Sequence, residues 1–451
     1  MDRLDLFSPA GNLGYGVQED TLNKARREYD IDVIGIDGGS TDQGPNYLGQ
    51  GKPLVSDPIV KRDLRLLLKA QDEDEIPLLI STAGGSGSRE HVDLTMKIIN
   101  DVADDLGLDI TVAKIYTDVP DEFLKQNLDK LTVLDFDTEV NAEVVDKAEK
   151  IVAQIGPEPY IDALEQGVDV ILAGRSLDVS PFAAVPIARG FDKGLAGHLG
   201  KILECGALAT KPGTTTDGII GRITDDYFEL IYPKEDRRVT TESVASHSLY
   251  EKANPNVIHL PDGVIDISDC DFDRRDERRV RISGSKFEPS DKYAVALEGV
   301  EKKGYRSITP AGMRSPELIT NLDRIRDNVR REVVDNVDYD SDEFQITFRT
   351  YGEDAVPIME TIEEPDTPPI EVGIIIDVVG ETQEIANAVC SRARYTMLHY
   401  GFEERKSTAG NLAFPYSPSD IEVGSVYGFS IHHLLEDVDP LEFTTITFEE
   451  L

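Results

Sequence analysis

A three-part pattern repeats through the first half of the chain: a short apolar run, a loop rich in glycine and polar residues, and an amphipathic segment with helical spacing. This order is typical of parallel strands connected by crossover helices. The predicted strands are residues 4–7, 33–36, 78–80, 110–115 and 170–173. The predicted helices are residues 57–70 and 90–106. The first half is therefore predicted to be α/β, with a mostly parallel sheet.

From about residue 218 the pattern changes to short alternating segments, which predict an antiparallel β-rich portion and then a smaller α+β C-terminal unit with a helix at 382–399. A chain of 451 residues exceeds the size of one core. We expect an α/β domain at residues 1–255, with glycine-rich loops at the strand ends, and a β-rich and α+β domain at 256–451. The Pro-rich acidic segment 355–370 is either a linker or a hairpin excursion between paired strands.

The net charge of the chain is −40, from 86 acidic and 46 basic residues spread along its length. Such a surface repels itself in dilute buffer, because charges are screened over about 10 Å at 0.1 M salt but over about 3 Å at 1 M. We expect a halophilic protein that binds neither nucleic acid nor an anionic membrane. Three separated cysteines, and the lack of a signal peptide or a long apolar run, predict a cytoplasmic location.

The loops that follow the predicted strands are where a ligand would bind, because the carboxyl ends of parallel strands meet at one edge of the sheet. These loops are residues 8–12, 37–45, 81–88, 116–120 and 174–181. Ser8 and Asn12 in the first loop are candidate substrate-binding residues, and a later proline-kinked stretch adds Asn411. That stretch could equally be a turn that closes the fold, a lid or a subunit contact.

The loop DGGSTDQGP is the strongest local signal. Asp37 follows a strand directly, and Ser40, Thr41 and Asp42 add donors and acceptors beside two glycines that permit a close backbone approach. Asp37 and Asp42 are candidate catalytic residues, and Ser40 and Thr41 are candidates for substrate binding. The loop also resembles the phosphate loop of actin-like sugar kinases. A tight turn with a helix cap is the simpler alternative.

The loop STAGGSGS places successive backbone N–H groups before a helix, where they could hold a carboxylate or phosphate. Thr82, Gly84 and Gly85 are therefore candidate binding residues. Neither GxGxxG nor GKT spacing occurs, so no NAD or flavin motif is present. Arg175 could grip a substrate carboxylate with two hydrogen bonds, beside Asp178, or the two could form an ion pair that only fixes their loop.

His198 is a further catalytic candidate, because it lies on an apolar helical segment with Lys201 and Cys205 at spacings that share one face. A histidine buried in the core, with its hydrogen bonds satisfied, is the alternative. A divalent metal, Mg²⁺ or Mn²⁺, could be held by Asp37, Asp42 and Asp178, since hard cations prefer oxygen ligands.

Eight segments in order resemble the acyclic terpene utilisation (AtuA) family over nearly the whole chain, in a form expected of a halophilic archaeal member. They are FSPAGNLGYG, IGIDGGSTDQGPNYLGQGKP, STAGGSG, LAGRSLDVSPFAA, KILECGA, RRVRISGSKFEP, EIANAVCSRAR and TAGNLAFPYSPSDI. The resemblance implies a role in the catabolism of acyclic terpenes, or of organic acids or acyl-CoA compounds. It carries no agreed catalytic residues.

The leading hypothesis is an enzyme, or its large subunit, that acts on a small or branched carboxylate or its CoA thioester by hydration, elimination or isomerisation. Arg175 and the STAGG backbone would bind the carboxylate, while Asp37, Asp42 or His198 would move a proton. The alternatives are a non-catalytic binding or assembly subunit and an actin-like ATP-binding protein. We expect a homo-oligomer, with or without a small second subunit.

Overall fold

The computed structural model describes residues 3–134, 139–249, 252, 254–356, 369–406 and 408–451. Most of the Pro-rich acidic segment, at residues 357–368, lies outside the described residues. Within them, no helix combines the length and the apolar character that crossing a membrane requires.

The described residues form 21 strands and 13 α helices. The strands are β1 Leu4–Ser8, β2 Val33–Asp37, β3 Leu78–Ser81, β4 Thr111–Tyr116, β5 Leu131–Val133, β6 Ala148–Ala153, β7 Val170–Ala173, β8 Thr210–Lys211, β9 Ile219–Ile223, β10 Phe228–Ile231, β11 Arg238–Val239, β12 Val257–Leu260, β13 Gly263–Asp266, β14 Asp271–Asp276, β15 Arg279–Ser283, β16 Lys286–Pro289, β17 Ala294–Met313, β18 Phe344–Tyr351, β19 Val372–Gly380, β20 Ile421–Glu436 and β21 Thr445–Glu450. The α helices are α1 Glu19–Glu28, α2 Asn46–Gln50, α3 Asp57–Asp74, α4 Arg89–Leu106, α5 Asp121–Gln126, α6 Ala142–Lys147, α7 Glu158–Leu164, α8 Ser180–Ala188, α9 Lys193–Leu203, α10 Thr241–Ser248, α11 Pro316–Thr320, α12 Leu322–Val334 and α13 Gln383–His399.

The largest sheet has ten strands in the order β14-β15-β10-β9-β1-β2-β3-β7-β4-β21. Its central five strands, β1 to β4 and β7, are parallel to their neighbours within that group. Antiparallel strands extend the sheet on both sides. The predicted α/β fold, with a mostly parallel N-terminal sheet followed by antiparallel strands, is therefore confirmed.

Two apolar cores cover the opposite faces of this sheet. In β7, Ile171 and Ala173 contribute to one core, while Val170 and Leu172 contribute to the other. Because both faces are buried, the strand is a continuous apolar run and does not alternate with polar residues. That is why the N-terminal strands could be found from the sequence.

The predicted strands 4–7, 33–36 and 78–80 each extend by one residue, so that Ser8, Asp37 and Ser81 are their last residues. All three side chains are buried. A polar side chain buried at a strand end must find a hydrogen-bond partner, because leaving it unpaired costs about 1–3 kcal/mol. The carboxyl edge of the sheet is therefore a polar layer that joins neighbouring loops.

The chain forms two compact units, one of residues 1–301 with 429–451 and one of residues 302–428. In the second unit, β18, β19 and the end of β17 pair antiparallel, and α12 and α13 contribute to the same apolar core. The domain boundary at residues 255 and 256 stays a prediction.

Candidate functional site

Main-chain hydrogen bonds join the loops that follow β1, β2, β3 and β7. The N–H of Leu13 donates to the carbonyl of Asp37 over 2.7 Å, and the N–H of Gly38 donates to the carbonyl of Ser81 over 2.9 Å. The N–H of Thr82 donates to the carbonyl of Gly174 over 3.0 Å. The loop after β4 lies there too, because the N–H of Arg89 donates to Asp118 Oδ1 over 3.1 Å. All five loops predicted to carry the chemistry therefore lie together at the carboxyl edge of the sheet.

The STAGGSGS loop, residues 81–88, approaches the loop after β7 so closely that it requires glycine. Gly87 has a φ of +68°, and a Cβ at this position would lie 2.1 Å from the backbone N of Arg175. Thr82 also has a positive φ, of 41°, which is rare for a β-branched residue and stores strain. Two hydrogen bonds hold this strained backbone. The N–H of Thr82 donates to the carbonyl of Gly174, and Thr82 Oγ1 accepts a hydrogen bond from the N–H of Ser176 over 3.3 Å.

The STAGG loop uses much of its main-chain hydrogen-bonding capacity within the fold. The N–H groups of Thr82, Gly85 and Gly87 donate to the carbonyls of Gly174, Thr82 and Ala83. These three donors are therefore engaged, although the sequence predicts that this backbone holds a carboxylate. The binding role of Thr82, Gly84 and Gly85 stays a prediction, and the geometry gives this loop a part in positioning the residues after β7.

Asp37 is buried at the end of β2, where its Oδ1 accepts a hydrogen bond from Ser81 Oγ over 2.5 Å. Burial, together with the nearby charge of Asp178, raises the pKa of Asp37 to about 8. Asp37 can therefore exchange a proton near neutral pH. Asp42 is exposed, and its N–H donates to Ser40 Oγ over 3.2 Å.

Arg175 forms a buried two-pronged ion pair with Glu298, which lies on β17. Its Nε and Nη2 donate to the two carboxylate oxygens over 2.9 and 3.2 Å. Nη1 donates to the carbonyl of Ser176 over 2.7 Å and to Asp178 over 3.2 Å. Burial opposes the negative charge on Glu298, but Arg175 holds the pKa of this carboxyl below its ordinary value.

The Arg175 fork is thus engaged by Glu298, although the sequence predicts that it grips a substrate carboxylate. Glu298 also accepts hydrogen bonds from Gln154 and Thr41, so the pair is embedded in a network. Sequence reasoning missed Glu298 because it lies more than 120 residues after Arg175 in a β strand with no motif around it. The arrangement of Arg175 fits a positioning residue that orients Asp178.

A cavity of about 240 Å³ lies beside this network. Its charged lining consists of Asp178, Lys201, Glu204 and Lys252, and its apolar lining includes Val179 and Ile258. Lys201 Nζ donates to Glu204 Oε1 over 2.5 Å. Among the described residues, neither Glu204 Oε2 nor Lys252 Nζ has a hydrogen-bond partner, although both atoms are buried.

Burial and neighbouring charges shift the pKa values of two side chains that line the cavity, Glu204 and Lys252, toward neutrality. Burial raises the pKa of Glu204 to about 8 in spite of its bond to Lys201, and Asp178 and Asp37 add to the increase. Burial and the positive charge of Lys201 lower the pKa of Lys252 to about 8. Shifted carboxyl and amino groups that line one cavity are characteristic of catalytic sites.

Sequence reasoning noticed Lys201 but missed Glu204 and Lys252 as site residues. The spacing of three between Lys201 and Glu204, at the end of an apolar helix, was the available signal. Lys252 lies between residues outside the described set, in a segment without a motif.

His198 is buried in α9, and both of its ring nitrogens are hydrogen bonded. Nδ1 lies 2.9 Å from Ser285 Oγ, and Nε2 lies 3.0 Å from Ser248 Oγ. Burial, with the charge of Lys252, lowers the pKa of His198 to about 3, so the ring is neutral at pH 7. It does not line the 240 Å³ cavity. The geometry fits the alternative of a core histidine, and the catalytic role stays a prediction.

The other predicted binding residues are dispersed. Ser8 Oγ donates to the carbonyl of Leu203 over 2.6 Å, and therefore ties β1 to the end of α9. Asn12 is buried, and its Oδ1 has no hydrogen-bond partner within the described part of the chain. Asn411 belongs to the second unit, where its amide donates to the carbonyls of Met397 and Tyr400 at the end of α13.

The predicted metal ligands do not form a metal-binding group. Across the described residues, no three His, Cys, Asp or Glu side chains are arranged so that they could hold a metal ion. Asp37 faces Ser81, Asp178 faces Arg175, and Asp42 is exposed.

The fold and the site together define an α/β protein with buried, charge-coupled acidic and basic groups at the carboxyl edge of a parallel sheet. The chain belongs to the acyclic terpene utilisation family: the family model described as acyclic terpene utilisation family protein AtuA matches residues 56–225 and 230–410. No curated protein and no solved structure matches the chain. Membership indicates a role in acyclic terpene utilisation.

Proposed function

We propose that the chain is an enzyme that acts on a small or branched carboxylic acid, or its thioester, by transferring a proton during hydration, elimination or isomerisation. The observation that carries this proposal is the pair of buried, unpartnered atoms, Glu204 Oε2 and Lys252 Nζ, among the described residues around one cavity. Leaving such atoms unpaired is costly, and a bound ligand that pairs with both would offset that cost.

The two ends of the ligand would contact different kinds of side chain, charged at one end and apolar at the other. Lys201 and Lys252 supply positive charge, which favours an anionic substrate in a protein whose surface is otherwise acidic. Glu204, with a pKa of about 8, can both accept and donate a proton near neutral pH. The apolar wall at Val179 and Ile258 suits a short or branched hydrocarbon group.

Arg175 acts indirectly in this proposal. It is held by Glu298 and in turn binds Asp178, which lines the cavity. The Asp178 charge contributes to the raised pKa of Glu204. Arg175 is therefore a positioning residue, and Asp37 completes the group of charges that set the acidity of Glu204.

A thermal-shift screen tests the proposal directly. Short and branched organic acids and their CoA thioesters are added to the full chain in molar KCl, with and without Mg²⁺ or Mn²⁺, because dilute buffer would report charge repulsion. We expect an acid or thioester to raise the melting temperature of wild type. Glu204→Gln and Lys252→Met should reduce that shift, while exposed Lys286→Met should retain it.

Two results would contradict the proposal that the chain is an enzyme. If no acid or thioester shifts the wild type, the cavity does not bind carboxylates. If Glu204→Gln and Lys252→Met retain every ligand shift but change the oligomeric state, the rival function, a non-catalytic assembly subunit, explains the chain better. Stabilisation by ATP alone would instead favour the actin-like alternative.

A further inference from the structure

Lys252 and Lys201 line the same cavity but have different partners. Lys201 is hydrogen bonded to Glu204, and its interactions with that carboxylate raise its pKa although burial opposes the charge. Lys252 Nζ is buried and has no hydrogen-bond partner in the described ranges. Lys201, Glu204 and Cys270 are the groups whose charges act on it. Lys201 is therefore a fixed cation paired with Glu204, whereas the Nζ of Lys252 receives no hydrogen bond from the described residues and donates none to them.

An amine desolvated beside another cation is a nucleophile toward carbonyl groups, because more of it is uncharged near neutral pH. Glu204 lines the same cavity, and its Oε2 is itself unpartnered among the residues described. A nucleophilic amine, a proton donor and a fixed positive charge are the three groups that imine formation with an oxo acid requires.

We propose that the substrate is an oxo acid and that Lys252 binds it covalently as an imine. This inference rests on the proposed function. The neutral Nζ adds to the carbonyl carbon, so that a C–N bond forms while the π bond of the carbonyl breaks toward oxygen. One proton then moves from the nitrogen to that oxygen, which gives the carbinolamine. Glu204 then donates a proton to the hydroxyl group, the C–O bond breaks, and water leaves as nitrogen loses its remaining proton or stays protonated as the iminium. No oxidant or reductant is consumed.

The positive charge of Lys201 would hold the substrate carboxylate, and the iminium would stabilise negative charge that develops on the adjacent carbon. This makes proton removal from that carbon easier, as elimination and isomerisation require. The apolar residues Val179 and Ile258 leave space for the rest of a small substrate.

Borohydride trapping tests this inference. The full chain in molar KCl near pH 8 is incubated separately with 2-oxo and 3-oxo acids, reduced with sodium borohydride, and measured by intact mass spectrometry. We expect one adduct per chain, with the mass of the acid minus water plus two hydrogens, and peptide mapping should locate it at Lys252. Lys286→Arg, which replaces an exposed lysine paired with Asp269, is the control and should label like wild type.

The variant Lys252→Arg keeps the positive charge but cannot form the imine. It should lose the trapped adduct while an oxo acid still raises its melting temperature. An adduct on surface lysines that persists in Lys252→Arg would overturn the inference. A second result would also overturn it: wild type forms no adduct, although a carboxylate still binds and Glu204→Gln weakens that binding. This result would leave the proposed function intact. Failure of every acid to bind would overturn both.

Discussion

Two buried glutamates in the same unit show how differently one kind of ion pair can be built. Glu298 receives two hydrogen bonds from Arg175 and further ones from Gln154 and Thr41. Glu204 receives one, from Lys201, and its second oxygen has no partner within the described residues. The pKa of Glu298 is lowered, whereas the pKa of Glu204 is raised to about 8.

This difference in hydrogen bonding indicates that one glutamate stabilises the fold and the other is able to react. A carboxylate whose lone pairs are filled by a rigid guanidinium fork stays ionised, and it is too well stabilised to take a proton. A carboxylate held through one oxygen by a flexible lysine keeps an open acceptor and a pKa that allows both protonation states. We infer that Arg175–Glu298 stabilises the fold around the cavity, while Lys201–Glu204 takes part in its chemistry.

The largest effect is expected from breaking the first pair. Arg175→Met should lower the free energy of unfolding by about 3–5 kcal/mol, because Glu298 would remain buried without its counter-charge. Urea unfolding in molar KCl measures this. Arg3→Met, which removes an exposed pair with Asp30, is the control and should change stability little. Equal stability of the two variants would show that the fork does not support the fold.

The second pair should behave in the opposite way. Glu204→Gln should reduce turnover by at least about 100-fold, the usual contribution of a positioned acid or base. Its stability should change less than that of Glu298→Gln, because the new amide oxygen can still accept from Lys201. Steady-state kinetics on a substrate found by the screen, together with urea unfolding, separates the two. A Glu204→Gln variant with full turnover would contradict the comparison.

The sequence predicted the sheet edge but not the pairings that distinguish these two glutamates. Continuous apolar runs located β1, β2, β3 and β7, and hence Asp37, Arg175 and the loops around them. Glu298 lies on β17, an antiparallel strand that is distant in the sequence. The alternating pattern of this strand predicts which side chains are buried, but it does not predict that Glu298 pairs with Arg175. The cavity lining at Lys252 likewise depends on how the chain returns to α9, which no local spacing encodes.

His198 provides a smaller test, since it is buried close to the second pair but has both ring nitrogens engaged. His198→Phe should lower the free energy of unfolding by about 1–3 kcal/mol, because Ser248 and Ser285 would each lose a partner. Turnover per folded molecule should be unchanged. Unfolding and kinetics measured on the same preparation check this, and a selective loss of turnover would instead support the catalytic role predicted for His198.

The free energy of unfolding should also depend on pH between pH 6.5 and 8. In the unfolded chain, Glu204 and Asp37 have lost their protons by pH 6.5, whereas the folded chain keeps them until about pH 8. The folded state therefore binds more protons, so the free energy of unfolding falls as pH rises through this window, by at most about 1.4 kcal/mol per pH unit for each group.

Other shifted groups act mainly outside that window. The lowered pKa values of His198 and His247, about 3 and 4, increase stability as pH rises through 6.5, and the increase fades above pH 7 as the unfolded chain loses its last histidine protons. Lys252 begins to lose its proton below pH 8 in the folded chain but not in the unfolded one, so it adds a small increase in stability at the upper end of the window and a larger one above pH 8. Glu204→Gln should flatten the slope between pH 6.5 and 8, and exposed Glu288→Gln should not. If urea unfolding in molar KCl gives the same slope for wild type and Glu204→Gln, then Glu204 is ionised in the folded chain, and the contrast with Glu298 lies in hydrogen bonding alone.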